Sequence, residues 1–275
     1  MQRVLRDPIQ CQCQKRGIKI GLVIFIGIGH IFKSNMAIAI GHQSSEQGHP
    51  MTDSLPITNR SRLRRSHPRG HFDRETINAI LDAQPLCSVG YVMEGKPYVT
   101  PTLQWREGNH AYWHGSSASQ ALRAGRDAEV CLSVSILDGF VLARSGFHHS
   151  VNSRSVTLFG TAFKVEDPVE KLAKLTRFVN GLFPGRYADL RPDTAQDLKA
   201  TTLLGLKIEE GSAKIRSGGP NDEEADYALP IWAGVIPVQT EIGAPIPDPR
   251  NLDGVAMPEH VREFKLGSAY GKKQE

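Results

Sequence analysis

Between Asp73 and Arg216 the chain switches between two hydrophobic periods, and each switch marks an element. Ile77, Ile80 and Leu81 recur at helical spacing behind Asp73, a residue suited to capping, and Pro85 predicts the end of that helix. Leu86–Val92 and Tyr98–Trp105 read as strands joined by a turn at Glu94-Gly95-Lys96, and Gly108-Asn109 turns the chain into His110–His114. A short helix is expected over Ser117–Ala124. Val130–Leu137 and Phe140–Ala143 are expected to pair across an Asp138-Gly139 hairpin turn, and Ser155–Val165 forms another long strand.

A helix start is written most clearly at Asp167-Pro168-Val169-Glu170, where a cap, an N1 proline and a capping-box acid coincide. Val169, Leu172, Leu175, Val179 and Leu182 supply its apolar face, and Pro184-Gly185 stops it. A second helix is expected over Thr194–Thr201, then a strand over Leu203–Glu209 and a last one over Ala213–Arg216. From Gly218 onward proline, glycine and acidic residues read as a surface-following tail. Six or seven hairpin-linked strands with singly inserted helices predict a mainly β fold with peripheral helices (α+β), an antiparallel barrel rather than a βαβ repeat.

Charge changes the picture little once it is located. The 275-residue chain has a formal net charge of +4. Residues 1–50 carry six Lys/Arg against Asp7 and Glu46, so that +4 resides there and residues 51–275 are neutral. A neutral domain offers no global field for nucleic acid. The basic stretch Arg60–His71 has no interleaved aromatic residues and reads as a solvated, loosely packed arm. Four cysteines without a CxxC spacing predict free thiols and a cytoplasmic protein. Ile18–Phe32 is too short for a comfortable membrane span, and with Ala37-Ile38-Ala39 behind it also fits a signal peptide. The expectation is an upstream extension of the reading frame over residues 1–50, with Met51 the start. A basic arm over 51–72, a barrel domain over 73–240 and a tail over 241–275 complete the expected division.

There is no GxGxxG, Walker loop, HExxH or GxSxG elbow. Adjacent His148 and His149 would leave opposite faces of a strand, a poor joint metal site, and no metal is expected. Three other segments have chemical content. In Tyr112–Arg123 a strand meets a Gly/Ser turn and a helix start, where hydroxyls and backbone N–H groups suit a phosphate. In His148–Val156, Arg154 is placed to pair with a phosphate or support a cofactor ring. The third segment runs from Lys214-Ile215-Arg216 through an acidic loop to Trp232.

Together the strings YWHGSS, ARSGFHHSVNSRSVTLFGTA and AKIRSGGPNDEEADYALPIWAGVIP resemble the pyridoxamine-phosphate-oxidase-like proteins, in the flavin-nucleotide-binding branch similar to nitroimidazole-resistance proteins. The resemblance covers roughly Arg69 to Thr240. It implies an FMN-binding split β-barrel that forms a homodimer, with flavin sites at the subunit interface. It places Thr100 and Thr102 along the flavin ring, and His114, Ser116, Ser119, Gln120 and Arg123 around its phosphate. Asn152, Arg154, Lys214, Arg216 and Trp232 would approach from the later segments. Two positions depart from the pattern: Gln120 stands where relatives carry Arg or Lys, with Arg123 or Arg126 able to compensate, and Ser153 stands where an aromatic is usual. The implied function is an FMN-dependent oxidoreductase on a small molecule. A non-enzymatic flavin-binding protein is one alternative. A haem-binding split barrel, with His114, His148 or His149 as axial ligand, is the other. No residue is singled out as catalytic, because the flavin itself carries the redox chemistry.

Overall fold

The computed structural model describes residues 53–65 and 67–266, and the expectations for residues 1–50 lie outside them. In chain order the elements are β1 (Gly70–His71), α1 (Arg74–Ala83), β2 (Leu86–Met93), β3 (Lys96–Glu107), β4 (His110–Ser116), α2 (Gln120–Gly125), β5 (Glu129–Leu142) and β6 (Ser150–Thr161). They continue with β7 (Phe163–Lys164), α3 (Pro168–Leu182), α4 (Ala195–Ala200), β8 (Thr201–Lys207), β9 (Glu210–Arg216), β10 (Gly234–Pro237) and α5 (Glu259–Arg262). All strand pairings are antiparallel, in the order β1-β9-β6-β5-β2-β3-β4-β8-β7, with β10 added to β5. The expected mainly β, antiparallel split barrel is what forms.

Local chemistry accounts for most elements. Asp73 accepts the Thr76 N–H and Asp167 accepts that of Glu170, so both predicted caps form. Glu94 (φ 52°) and Gly95 (φ 74°) both occupy the left-handed region, as a tight hairpin between β2 and β3 requires. Strand β3 divides its pairing, with Lys96–Leu103 on β2 and Gln104–Glu107 on β4, and so links the two halves of the barrel.

Alternation along these strands builds two cores. Val89, Val130, Leu132, Val134, Val156, Leu158, Leu204 and Leu206 face inward with Trp113, and Ile77, Ile80 and Leu81 of α1 close one end. On the outer side of β4 and β8, Trp105, Tyr112 and Leu203 pack beneath Leu175, Phe178 and Val179 of α3. Each of those α3 side chains contributes about 2 kcal/mol by burial. Val169, expected on this face, is exposed because it sits in the first turn of the helix.

Three expectations are corrected. Asp138-Gly139 is not a hairpin turn: β5 runs unbroken to Leu142, with a bulge in its ladder to β6 between Leu137 and Gly139. The strand cannot fold back there because β10 occupies that edge. A Cβ on Gly139 would lie 2.9 Å from the Ile236 carbonyl oxygen, so glycine serves close approach rather than a turn. The bulge changes parity, so that Leu137 and Phe140 are both exposed while Val141 is buried. The basic arm is not loose either. Leu55 is buried in the main core, and the Arg60 guanidinium reaches Glu129 (2.8 Å) and Glu210 while lying 4.8 Å above the Phe159 ring. The tail, finally, is anchored to the barrel. Asp222 is wholly buried, accepts both the backbone N–H and the guanidinium of Arg144 at 3.0 Å, and β10 follows.

Candidate functional site

Where α2 leaves the barrel, strands β2, β3 and β4 part around a cavity of about 170 Å³. Its walls include Val89, Tyr91, Thr100, Thr102, Trp113, Ser116, Ser119 and Leu122. Thr100 and Thr102 stand opposite Val89 and Cys87 and therefore share the inward face. The Tyr91 hydroxyl lies 3.2 Å from Thr100 Oγ1, and its ring stacks on Tyr98 at 5.7 Å. Apolar walls with a few converging hydroxyls are the usual make-up of a cofactor pocket. Five of the expected residues, Thr100, Thr102, His114, Ser116 and Ser119, thus come together.

The turn after β4 is more self-satisfied than expected. Ser117 N–H donates to Ala200 O, Ala118 N–H to Ser116 Oγ, and Ser119 N–H to Ser116 O. Those three donors are consumed locally, whereas the Ser119 hydroxyl makes no capping bond to α2. Arg123 folds back on the turn, its Nη2 donating to Ala118 O at 3.0 Å, beside the exposed Gln120. Arg126 is instead paired with Asp127 and Glu166. Arg123 is therefore the cation held against this turn.

His114 borders the cavity, but its ring packs on the far side of β4, 4.9 Å from Phe178 and 5.9 Å from Trp105. Parity explains this: Trp113 faces the barrel core, and its neighbours Tyr112 and His114 face α3. Burial among these rings pushes the imidazole pKa down to about 4, leaving it neutral at pH 7. Burial likewise pushes the Cys87 thiol up to about 12, far from nucleophilic range.

The remaining expected residues gather at the other end of β5 and β6, and none lines the cavity. Arg154 donates to both oxygens of Asp138, at 2.9 and 2.8 Å, which holds the bulge and fills its fork. Arg216 donates to Asn152 Oδ1 and to the carbonyls of Gly218 (3.1 Å) and Gly219 (2.9 Å), while Asn152 donates to Gly218 O. These groups fix the start of the tail. Lys214 is exposed on β9. Trp232 is 69% exposed, its ring lying where a Cβ on Gly234 would meet it at 3.0 Å. The sequence reading did not single out Tyr91 and Trp113. The period-2 alternation of β2 and β4 was the signal available for both.

Between the two groups the outer face of the sheet is apolar and open. Leu86 stands opposite Leu103, and Val92 opposite Pro97, with Val99 70% exposed between them. A face of this kind on a monomer marks a surface that meets another molecule.

An antiparallel split barrel with a hydroxyl-lined pocket at a strand-to-helix turn is the architecture of a small-cofactor-binding protein. The chain belongs to the pyridoxamine 5'-phosphate oxidase family, whose model matches residues 73–215. Among solved structures it is 48% identical to the flavocytochrome Anf3 from Azotobacter vinelandii, over 76% of this chain and 98% of that one, with a TM-score of 0.74. It is 37% identical to a FAD- and haem-binding protein from Mycobacterium smegmatis, over 72% of this chain and 98% of that one, with a TM-score of 0.69. No curated protein matches the chain.

Proposed function

We propose that this protein is a flavin-dependent oxidoreductase that works as a homodimer on a small molecule. The observation that carries the reading is the convergence of Thr100, Thr102, Ser116 and Ser119 on one apolar-walled cavity in a chain of this family. A bound flavin supplies hydride or single-electron transfer. Thr100 and Thr102 offer hydrogen bonds to the polar edge of the ring, Tyr91 and Trp113 exclude water from it, and Ser119 with Arg123 receives the phosphate. At about 170 Å³ the cavity is below the 300–1,000 Å³ typical of a ligand pocket. The open apolar face of β2 and β3, on the opposite side of these strands from Thr100 and Thr102, offers a second copy its seat. Cys87 and Cys131 are free thiols, as suits the cytoplasm, and among the described residues no helix is long and apolar enough to cross a membrane.

The nucleotide expected from the sequence was FMN. The names of the two solved structures favour a second reading, in which the flavin is FAD and haem accompanies it. The test is the visible spectrum of the purified protein, with the released flavin identified by chromatography. Flavin absorption with one nucleotide per chain is expected, and a Soret band in addition under the second reading. A chain that holds no flavin after incubation with FMN and with FAD refutes the proposal.

A further inference from the structure

Two apolar surfaces lie outside the flavin cavity, and each lacks what the other supplies. The first is the tail. Every residue from Gln239 to Met257 is exposed, and Ile242, Ile246, Leu252, Val255 and Met257 among them are large and apolar. Ile246 is 94% exposed. The segment is nevertheless tied at both ends. Val238 N–H donates to Asp138 O where β10 leaves β5, and beyond α5 the Phe264 ring lies 5.1 Å from that of Phe183, at the end of α3.

Between those ties the segment has a defined shape. Pro245, Pro247 and Pro249 stand at alternate positions and stiffen it in an extended form. Two turns follow, closed by Asn251 N–H to Asp248 O and by Val255 N–H to Leu252 O. A strap held open in this way loses little conformational freedom when it docks. The prolines also strip the N–H groups from one side of the extended stretch, which favours docking through side chains on a face over adding a strand to an edge.

The second surface is the outer side of β2 and β3. The pairs Leu86–Leu103 and Val92–Pro97 stand at its two ends, and between them the outward residues of β2 are only Ser88 and Gly90. Their neighbours on β5 are Ser133 and Cys131, also small, while Val99 rises opposite Gly90. Small residues flanked by larger ones make a shallow apolar trough across the strands. Within one chain both the tail and this face are exposed, so a tail does not cover its own trough.

We infer that the Gln239–Met257 segment of one copy straps across the β2–β3 face of a second copy, and reciprocally about a two-fold axis. An isologous pairing uses both surfaces twice. Five tail side chains and the four large ones of the face, each giving up roughly 60 Å², then bury about 1,000 Å², enough for a specific interface. The inference rests on the homodimer reading and names the segment that holds the copies together.

The test is sedimentation velocity of the full chain, with flavin content measured on the same samples. The wild type is a dimer. Ile246→Asp changes a side chain that is already solvated in the single chain, so the fold stays intact. It weakens dimerisation tenfold or more, because a carboxylate would have to enter the trough. Val99→Asp weakens it from the opposite side. Chains carrying Ile246→Cys, mixed with longer-tagged chains carrying Val99→Cys, give a bismaleimide-linked pair of unequal chains above the background from native thiols. A dimer indifferent to Ile246→Asp, or a mixture that yields no such pair, overturns the strap and leaves the homodimer standing. A wild type that binds flavin but sediments as a monomer overturns strap and homodimer together. A flavin-free dimer that responds to Ile246→Asp and yields the linked pair upholds the strap while refuting the flavin proposal.

Discussion

Replacing His114 with phenylalanine should remove most of one component of the protein's acid sensitivity. In the folded chain the imidazole lies against Phe178 and Trp105, and burial lowers its pKa from 6.5 to about 4. The unfolded chain therefore binds the proton more tightly than the folded one. Stability from this group is complete above the unfolded value and is lost as pH falls from 6.5 toward 4. Linkage between those two values gives a loss of about 2 kcal/mol between pH 7 and pH 5. Phenylalanine keeps an aromatic ring in the site and binds no proton, so the variant should lack that loss. Denaturant unfolding of both proteins at the two pH values isolates the effect, since carboxylates common to both cancel in the comparison. Parallel decline of the two, or a His114 proton titration near 6.5 by nuclear magnetic resonance, would refute the reasoning.

Three further outcomes follow from other parts of the molecule. Gly139→Ala drives a methyl group into the Ile236 carbonyl and should cost about 1–3 kcal/mol, with hydrogen exchange accelerated selectively in β10; uniform protection across β10 would contradict the close approach. Arg60→Ala should cost roughly 1 kcal/mol or less, because the pair is half exposed, yet should expose the bonds after Arg62, Arg64 and Arg65 to trypsin. An arm that resists cleavage after that change is held without Arg60, by Leu55, its backbone bond to Phe72 and the Thr58–Glu210 hydrogen bond. Ser119→Ala, which removes a hydroxyl expected to face the flavin phosphate, should weaken flavin binding roughly tenfold with little change in thermal stability; unaltered affinity in a fluorescence titration places the phosphate elsewhere.

Legibility in the sequence depended on how far away the deciding partner lay. The caps at Asp73 and Asp167, and the hairpin at Glu94-Gly95, are decided within four residues and could be read directly. Asp138-Gly139 satisfies a turn and a bulge equally well, and β10, far downstream, decides between them. Arg60 looked solvated because Glu129 and Glu210 are remote in sequence. In the candidate site Ser116 and Ser119 were visible as a Gly/Ser turn before a helix. The side to which His114 points was not, since a strand end next to a turn shows too little alternation to establish parity. The second group, Asn152, Arg154 and Arg216, was legible as polar residues of interest, but their partners are Asp138 and the tail carbonyls.

The bulge at Asp138 makes β5 behave as two strands spliced out of phase. Odd positions up to Leu137 face outward, and even positions do so from Phe140. Deletion of Asp138 would remove the one unpaired residue and leave a regular ladder, Leu137–Ser153 followed directly by Gly139–Asn152, with Leu137 and Phe140 still outward and Val141 still inward. Point substitution at Asp138 costs only the Arg154 pair. Loss of a paired residue elsewhere in β5 would exchange inside for outside along part of the strand, so the tolerance of this segment to a change of length is concentrated at Asp138.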